Sequence, residues 1–207
     1  MKFTIYELAW LCQIIKVKKL VGFDAFPMLE KEETDVASNG LINKQIIKDG
    51  KLTEMGLSVV ETINLYVNAR RFMKLGEHSV FANYQSSEYI LITKTDTLYS
   101  INMVTQDMIV SIILSKFKTL STIKDDEYKK RFVSKHKFAE IMEKYDDAES
   151  IFYYMVDLDS KEEKKAVMFV AEGYFQHYDA IVGELEKYPR NQVQQGIESI
   201  FVKEDMS

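Results

Sequence analysis

The scarcities in this sequence narrow the field first. Among 207 residues there is one cysteine, Cys12, so no intramolecular disulfide can form and a disulfide-stapled scaffold is excluded. Two prolines and eight glycines leave few breaks, which predicts regular elements joined by short connections. The longest apolar stretches, such as "MIVSIIL" at 108–114, are far too short to span a bilayer. "MKFTIYELAW" lacks the basic start, unbroken apolar stretch and small-residue cleavage site of a secretory signal. A reducing compartment, a cytoplasmic protein and no membrane insertion are the expectations. Positive charge is also short: the net charge is −5, which disfavours a general nucleic-acid or anionic-membrane surface.

Chemical motifs are missing as well. His78, His136 and His177 lie far apart, and none has a His or Cys partner at metal-site spacing. Cys12 sits in "LAWLCQII", an apolar setting that predicts an inert packed thiol. The acidic groups "DDE" (125–127), "DDAE" (146–149) and "DLD" (157–159) lack the central Gly and twelfth-position Glu of a calcium loop and read as solvated turns. No Walker-type loop, G-x-G-x-x-G or G-x-S-x-G occurs. These absences disfavour an enzyme without excluding one, and they offer no cofactor motif.

What is present is a core. The chain is 46% hydrophobic and 12% aromatic, too apolar for disorder. Thr4 and Glu7 form a capping box for a first helix to about Val17, with Ile5, Leu8, Leu11, Cys12 and Ile15 inward. Pro27 suits the first turn of a second helix, and Gly40 its left-handed stop. "KDGK" centres a short hairpin, and Thr53 caps a third helix, which Leu57, Val60, Ile63, Leu65, Val67 and Phe72 carry towards Leu75. β-rich runs follow at 79–85, 88–94 and 97–104, then a helix capped by Thr105 with Met108, Ile109, Ile112, Ile113 and Phe117 inward. Residues 118–131 read as a flexible connection. After it come a helix from Ser134, an antiparallel pair made of "SIFYYMVDLD" and "AVMFVAEGYF", a segment at 178–188 that fits helix or strand, and a last helix capped by Asn191. The expected architecture is α+β, a central antiparallel β-sheet flanked by helices, with a winged-helix-like segment at the N-terminal end. The whole of 1–207 forms one domain, with two similar halves joined near 118–131 left open.

The helix pair and hairpin at 20–75 have the form of a DNA-binding winged helix. Yet the helix before the wing carries Glu30, Glu32, Glu33 and Asp35, which repel phosphate, while Lys44, Lys48 and Lys51 also serve to keep an exposed β-edge soluble. The aromatic runs "FANY", "IFYYMV" and "GYFQHY" call for cover on both strand faces, either from helices of the same chain or from a partner.

"NGLINKQIIKDGKLTEMGLSVVETINLYVNAR" followed by "EYILITKTDTLYSINMVTQDMIVSII" resembles the substrate chaperones of type VII secretion in Gram-positive bacteria, the EsaE (EssE) family, and more distantly the mycobacterial EspG chaperones. The resemblance covers roughly residues 1–115 in element order and is sharpest at 39–66 and 88–104. It implies a non-enzymatic chaperone or adaptor that binds the helical targeting domain of a secreted substrate or toxin, keeps it soluble and delivers it to the secretion ATPase. By element order, it implies partner contacts at the turn Lys94, Thr95, Asp96 and Thr97 and at the last helix near Ile197, Ile200 and Phe201. The other readings that the residues allow are a winged-helix DNA-binding regulator and an immunity protein that neutralises a toxin.

Overall fold

The chain opens as a short strand, β1 (Lys2–Thr4), that runs straight into helix α1 (Ile5–Ile14). The junction is the expected capping box: Thr4 Oγ1 accepts from the Glu7 N–H at 3.2 Å, and Glu7 Oε2 accepts from the Thr4 N–H at 2.7 Å. Leu8, Leu11 and Cys12 are buried. The helix stops short of Val17, with Lys16 at φ 56° reversing the chain. The computed structural model describes residues 1–144 and 149–201, so Asp146, Asp147 and Ala148 of the acidic group "DDAE" lie outside the described residues.

Helix α2 spans Lys31–Asn43, with Pro27 outside it. Its start is set by carboxylates instead, Glu33 Oε2 accepting the Glu30 N–H at 3.0 Å at the positive end of the helix dipole. Gly40 is not its stop. It lies inside the helix, where a Cβ would stand 2.2 Å from Glu7 Oε1, and the left-handed position falls to Gln45 at φ 59°. The buried Glu7 carboxylate that crosses Gly40 is ion-paired with Lys44.

The wing forms as read. Strands β2 (Ile47–Lys48) and β3 (Lys51–Leu52) pair antiparallel about Asp49 and Gly50, at φ 50° and 72°, the double left-handed conformation of a two-residue hairpin turn. Thr53 caps α3 (Glu54–Asn68), its Oγ1 accepting from the Gly56 N–H at 3.1 Å and donating to the Gln45 carbonyl at 2.7 Å. Helix α3 ends seven residues before Leu75. Arg71–Leu75 is a strand, β4, because Phe72 and Met73 pair with Ala82 and Phe81 of the next strand and this pairing overrides the apolar spacing that mimics a helix. Leu57, expected inward, is 57% exposed.

Strands β5 (Ser79–Gln85), β6 (Glu88–Thr95) and β7 (Leu98–Thr105) match the three β-rich runs. Contacts divide the chain into two compact units, one of Met1–Val104 with Asp157–Asp159, the other of Thr105–Val156 with the residues from Ser160 onward. In the first unit the strands lie in the order β1-β7-β6-β5-β4. The face bearing Phe72, Val80, Ala82 and Ile92 is closed by the helices: Tyr66 of α3 meets Phe72 edge-on at 5.5 Å and donates its hydroxyl to the Val21 carbonyl at 2.7 Å. Asp157–Asp159 fasten to this unit, the Leu158 N–H donating to the Arg70 carbonyl at 2.7 Å and Asp157 Oδ2 standing 3.7 Å from Arg71 Nε.

The second unit begins with α4 (Gln106–Leu114), capped by Thr105 as expected but rotated. Ile109, Val110, Ile113 and Phe117 are buried, and Met108 is 51% exposed. Residues 118–131, expected as a flexible connection, hold a short 3₁₀ turn at Lys118–Thr122 and the start of strand β8 (Lys129–Phe132). After α5 (Lys135–Met142), capped by Ser134, come β9 (Ser150–Asp157), β10 (Glu163–Ala171), β11 (Tyr174–Asp179) and β12 (Glu184–Tyr188), then α6 (Val193–Glu198). "AVMFVAEGYF" is therefore two strands, broken where Glu172 and Gly173 both take positive φ. The ambiguous 178–188 is the end of β11, a turn and β12. Asn191 lies in a 3₁₀ turn, and Gln192 stands at the cap of α6.

The order in this unit is β9-β10-β11-β12-β8. One face packs Val167, Phe169, Tyr178 and Leu185 under α5, whose Phe138 stacks on Tyr178 at 3.8 Å. On the other face Phe175 meets Phe117 beyond α4, and Tyr188 lies against Gly196 of α6. The fold is α+β, with antiparallel sheet flanked by helices. Both units use one strand order: a leading strand runs into a capped helix, a four-stranded meander follows, and the last strand of the meander pairs with the leading one.

Candidate binding surfaces

The expected contact turn is the two-residue connection between β6 and β7. Asp96 takes φ 49°, and Thr95, Asp96 and Thr97 are exposed. Lys94 is held at their base: its N–H donates to the His78 carbonyl at 2.8 Å, and its ammonium lies 5.9 Å from the centre of the Tyr99 ring. The turn at 76–78 thus stands beside it, with Glu77 and His78 exposed. The exposed side chains at this end of the first sheet are polar. An Asp carboxylate between two Thr hydroxyls offers acceptors of the kind that the free N–H groups and positive dipole at a helix N-terminus require.

The second expected site is built differently. Ile197, Ile200 and Phe201 are 0%, 4% and 6% exposed, and with Val193 they anchor the last helix. Gly196 lets the Tyr188 ring come so near that a Cβ there would be 2.7 Å from it. The segment presents outward Arg190, Asn191, Gln194, Gln195 and Ser199. Ile197, Ile200 and Phe201 therefore position this polar surface and are not themselves on it.

Sequence reasoning missed a partly buried polar network in the second unit. His177 of β11 lies directly opposite Glu186 of β12, and its Nδ1 is 3.1 Å from Glu186 Oε2. Its Nε2 is 2.7 Å from the Tyr153 hydroxyl. Tyr128 and Tyr188 donate to the same carboxylate at 2.7 Å and 2.8 Å. One assignment satisfies every group: the Tyr153 O–H donates to Nε2, and Nδ1–H donates to Glu186. These hydrogen bonds, led by that from His177, pull the Glu186 carboxyl down to about 2. The tyrosine hydroxyls go the other way, burial and then the facing carboxylate raising Tyr128 and Tyr188. Alternation of polar residues in "FQHYD" and "ELEKY", read as facing strands, is the signal that was available. The arrangement locks three strands and the chain before β8. Among the described residues, no group of three or more His, Cys, Asp or Glu is placed to hold a metal ion, and no helix is long and apolar enough to cross a membrane.

Before the wing, Lys44 is committed to Glu7, and Glu32 and Asp35 of α2 are exposed, acids that repel phosphate; on the wing itself Lys48 and Lys51 are exposed. Apolar side chains are exposed elsewhere: Met28, Val36 and Leu57 in the first unit, and Phe132, Ile181 and Val182 in the second.

The sequence matches, over residues 1–188, a family described as a domain of unknown function, DUF5081. No curated protein matches. Among solved structures, the chain is similar to the Mycobacterium tuberculosis type VII secretion system chaperone EspG5, in a structure of its complex with the PE25–PPE41 dimer. The TM-score is 0.65 at 8% identity, covering 97% of this chain and 95% of that one. The likeness is one of fold, and it favours the EspG side of the resemblance seen in the sequence.

Proposed function

The chain belongs to the DUF5081 family, and from its fold we propose that it is a substrate chaperone or adaptor of a type VII secretion system. One observation carries the reading: a fold shared along nearly the full length of both chains with a chaperone of that system. The finer assignment, an EsaE-like cytoplasmic protein that holds a toxin soluble and passes it to the secretion ATPase, rests on the sequence resemblance at 39–66 and 88–104. The partner is the helical targeting domain of a secreted protein. Thr95, Asp96 and Thr97 meet a helix end through their acceptors, and the segment carried by Ile197, Ile200 and Phe201 adds its amides. Such binding needs no cofactor and no reaction.

The test is co-expression with a helical secreted protein encoded beside this chain, followed by pull-down with truncated versions of that protein. A soluble stoichiometric complex that survives on the targeting domain alone supports the proposal, and Asp96→Lys weakens it by placing a cation against a helix N-terminus. Binding confined to a catalytic domain makes the chain an immunity protein instead, and failure to bind any helical secreted protein sinks the chaperone reading.

A further inference from the structure

Strand β8 ends the sheet of the second unit, and its sequence is unusual for a chain of net charge −5. From Tyr128 to Ala139 there are five Lys or Arg and no acid: Lys129, Lys130 and Arg131 on the strand, then Lys135 and Lys137 at the start of α5. All four residues of the strand are exposed, Phe132 at 78%. Some of the charge is answered locally, Lys129 by Asp126 and Lys130 by Glu184. Arg131 and Lys135 have no ion pair among the described residues.

The register shows which way the backbone points. The Val133 N–H donates to the Gly183 carbonyl at 2.8 Å, and Phe132 lies opposite Glu184. In an antiparallel ladder, that makes Phe132 and Glu184 a non-hydrogen-bonded pair, so the N–H and C=O of Phe132 face away from β12, off the end of the sheet. The apolar Ile181 and Val182 are held at the adjoining hairpin tip, both of their N–H groups donating to Asp179 Oδ1.

We propose that the outer edge of β8 is a strand-addition site for an extended acidic segment of a partner protein. Main-chain hydrogen bonds along the edge supply affinity, carboxylates opposite Arg131 and beside Lys135 supply selectivity, and Phe132 takes an apolar residue on the other face. A second copy of this chain is a poor occupant. Two β8 strands paired with each other set Lys129, Lys130 and Arg131 against like charges, an arrangement that sheet edges use to prevent self-pairing. The site is independent of the secretion reading and of the residues assigned to it.

The test uses the full chain and fluorescent peptides of about ten residues, a usual strand length. The expected result is binding of alternating Glu-Val peptide in preference to alternating Lys-Val, and no binding of alternating Glu-Pro, which has the charge but lacks the pairing N–H opposite Phe132 when Glu stands opposite Arg131. Arg131→Glu weakens Glu-Val binding about tenfold. Phe132→Pro abolishes it, removing a donor that no described residue pairs with; if that variant does not fold, the Glu-Pro comparison decides the same point. Equal binding of Glu-Val and Glu-Pro, no binding of Glu-Val, or self-association of the chain that Phe132→Pro removes would each overturn the proposal.

Discussion

Replacing Glu186 by Gln tests the partly buried network with little change of shape. The carboxylate accepts from the Tyr128 and Tyr188 hydroxyls and from His177, and its side chain is 19% exposed, so solvent screens it only partly. Its carboxyl falls from 4.5 to about 2 on folding. At about 1.4 kcal/mol for each tenfold change in proton affinity, this corresponds to about 3 kcal/mol of stability. A lowered carboxyl stabilises the fold above the unfolded value near 4.5 and loses that contribution as pH falls towards 2. Urea unfolding of both proteins at pH 7 should therefore show Glu186→Gln weaker by about 3 kcal/mol, the gap shrinking to about 1 kcal/mol at pH 3. Equal stability at neutral pH, or a gap that pH does not change, would refute the reasoning, because an amide keeps the shape but loses the charge and one of the two acceptor oxygens.

Gly40→Ala should destabilise by about 1–3 kcal/mol in the same assay, against the gain of up to about 1 kcal/mol usual for this change in an exposed helix, since the new methyl meets the Glu7 carboxylate. Burial raises the Cys12 thiol to about 12, so at pH 8 an aromatic disulfide should label it no faster than the chain unfolds, and labelling of the native protein would show that the site opens locally. Phe138→Ala removes the ring stacked on Tyr178 and edge-on to Phe169, and should cost about 2–4 kcal/mol by denaturant unfolding.

Local rules were legible where the residues involved are close in the chain. The Thr4–Glu7 capping box, the Asp49–Gly50 turn and the Thr53, Thr105 and Ser134 caps are each decided within a few residues, and each formed. The misreadings arose where a distant partner decides. Gly40 is glycine because Glu7, from another helix, crosses it, and nothing nearby distinguishes that role from a helix stop. "RFMKL" is a strand because β5 offers it a ladder. The network around Glu186 joins β9, β11, β12 and the chain before β8, so it becomes visible only once the strand order is known. The candidate contact residues divide likewise. Thr95, Asp96 and Thr97 are exposed as a loop tip should be, whereas Ile197, Ile200 and Phe201, named through the resemblance by element order, are buried by the apolar spacing of their own segment.

The leading strand of each unit pairs with the last strand of its meander, Lys2 with Ser100 and Lys129 with Lys187. Hairpin neighbours in the meanders close short loops and register early, but β1 and β8 have to wait for a strand at the far end of their units. Loop-closure entropy thus places the closing pairing of each unit after its hairpins. During synthesis β1 is made before β7 and stays without its partner until β7 follows, an interval in which its edge is open to other chains.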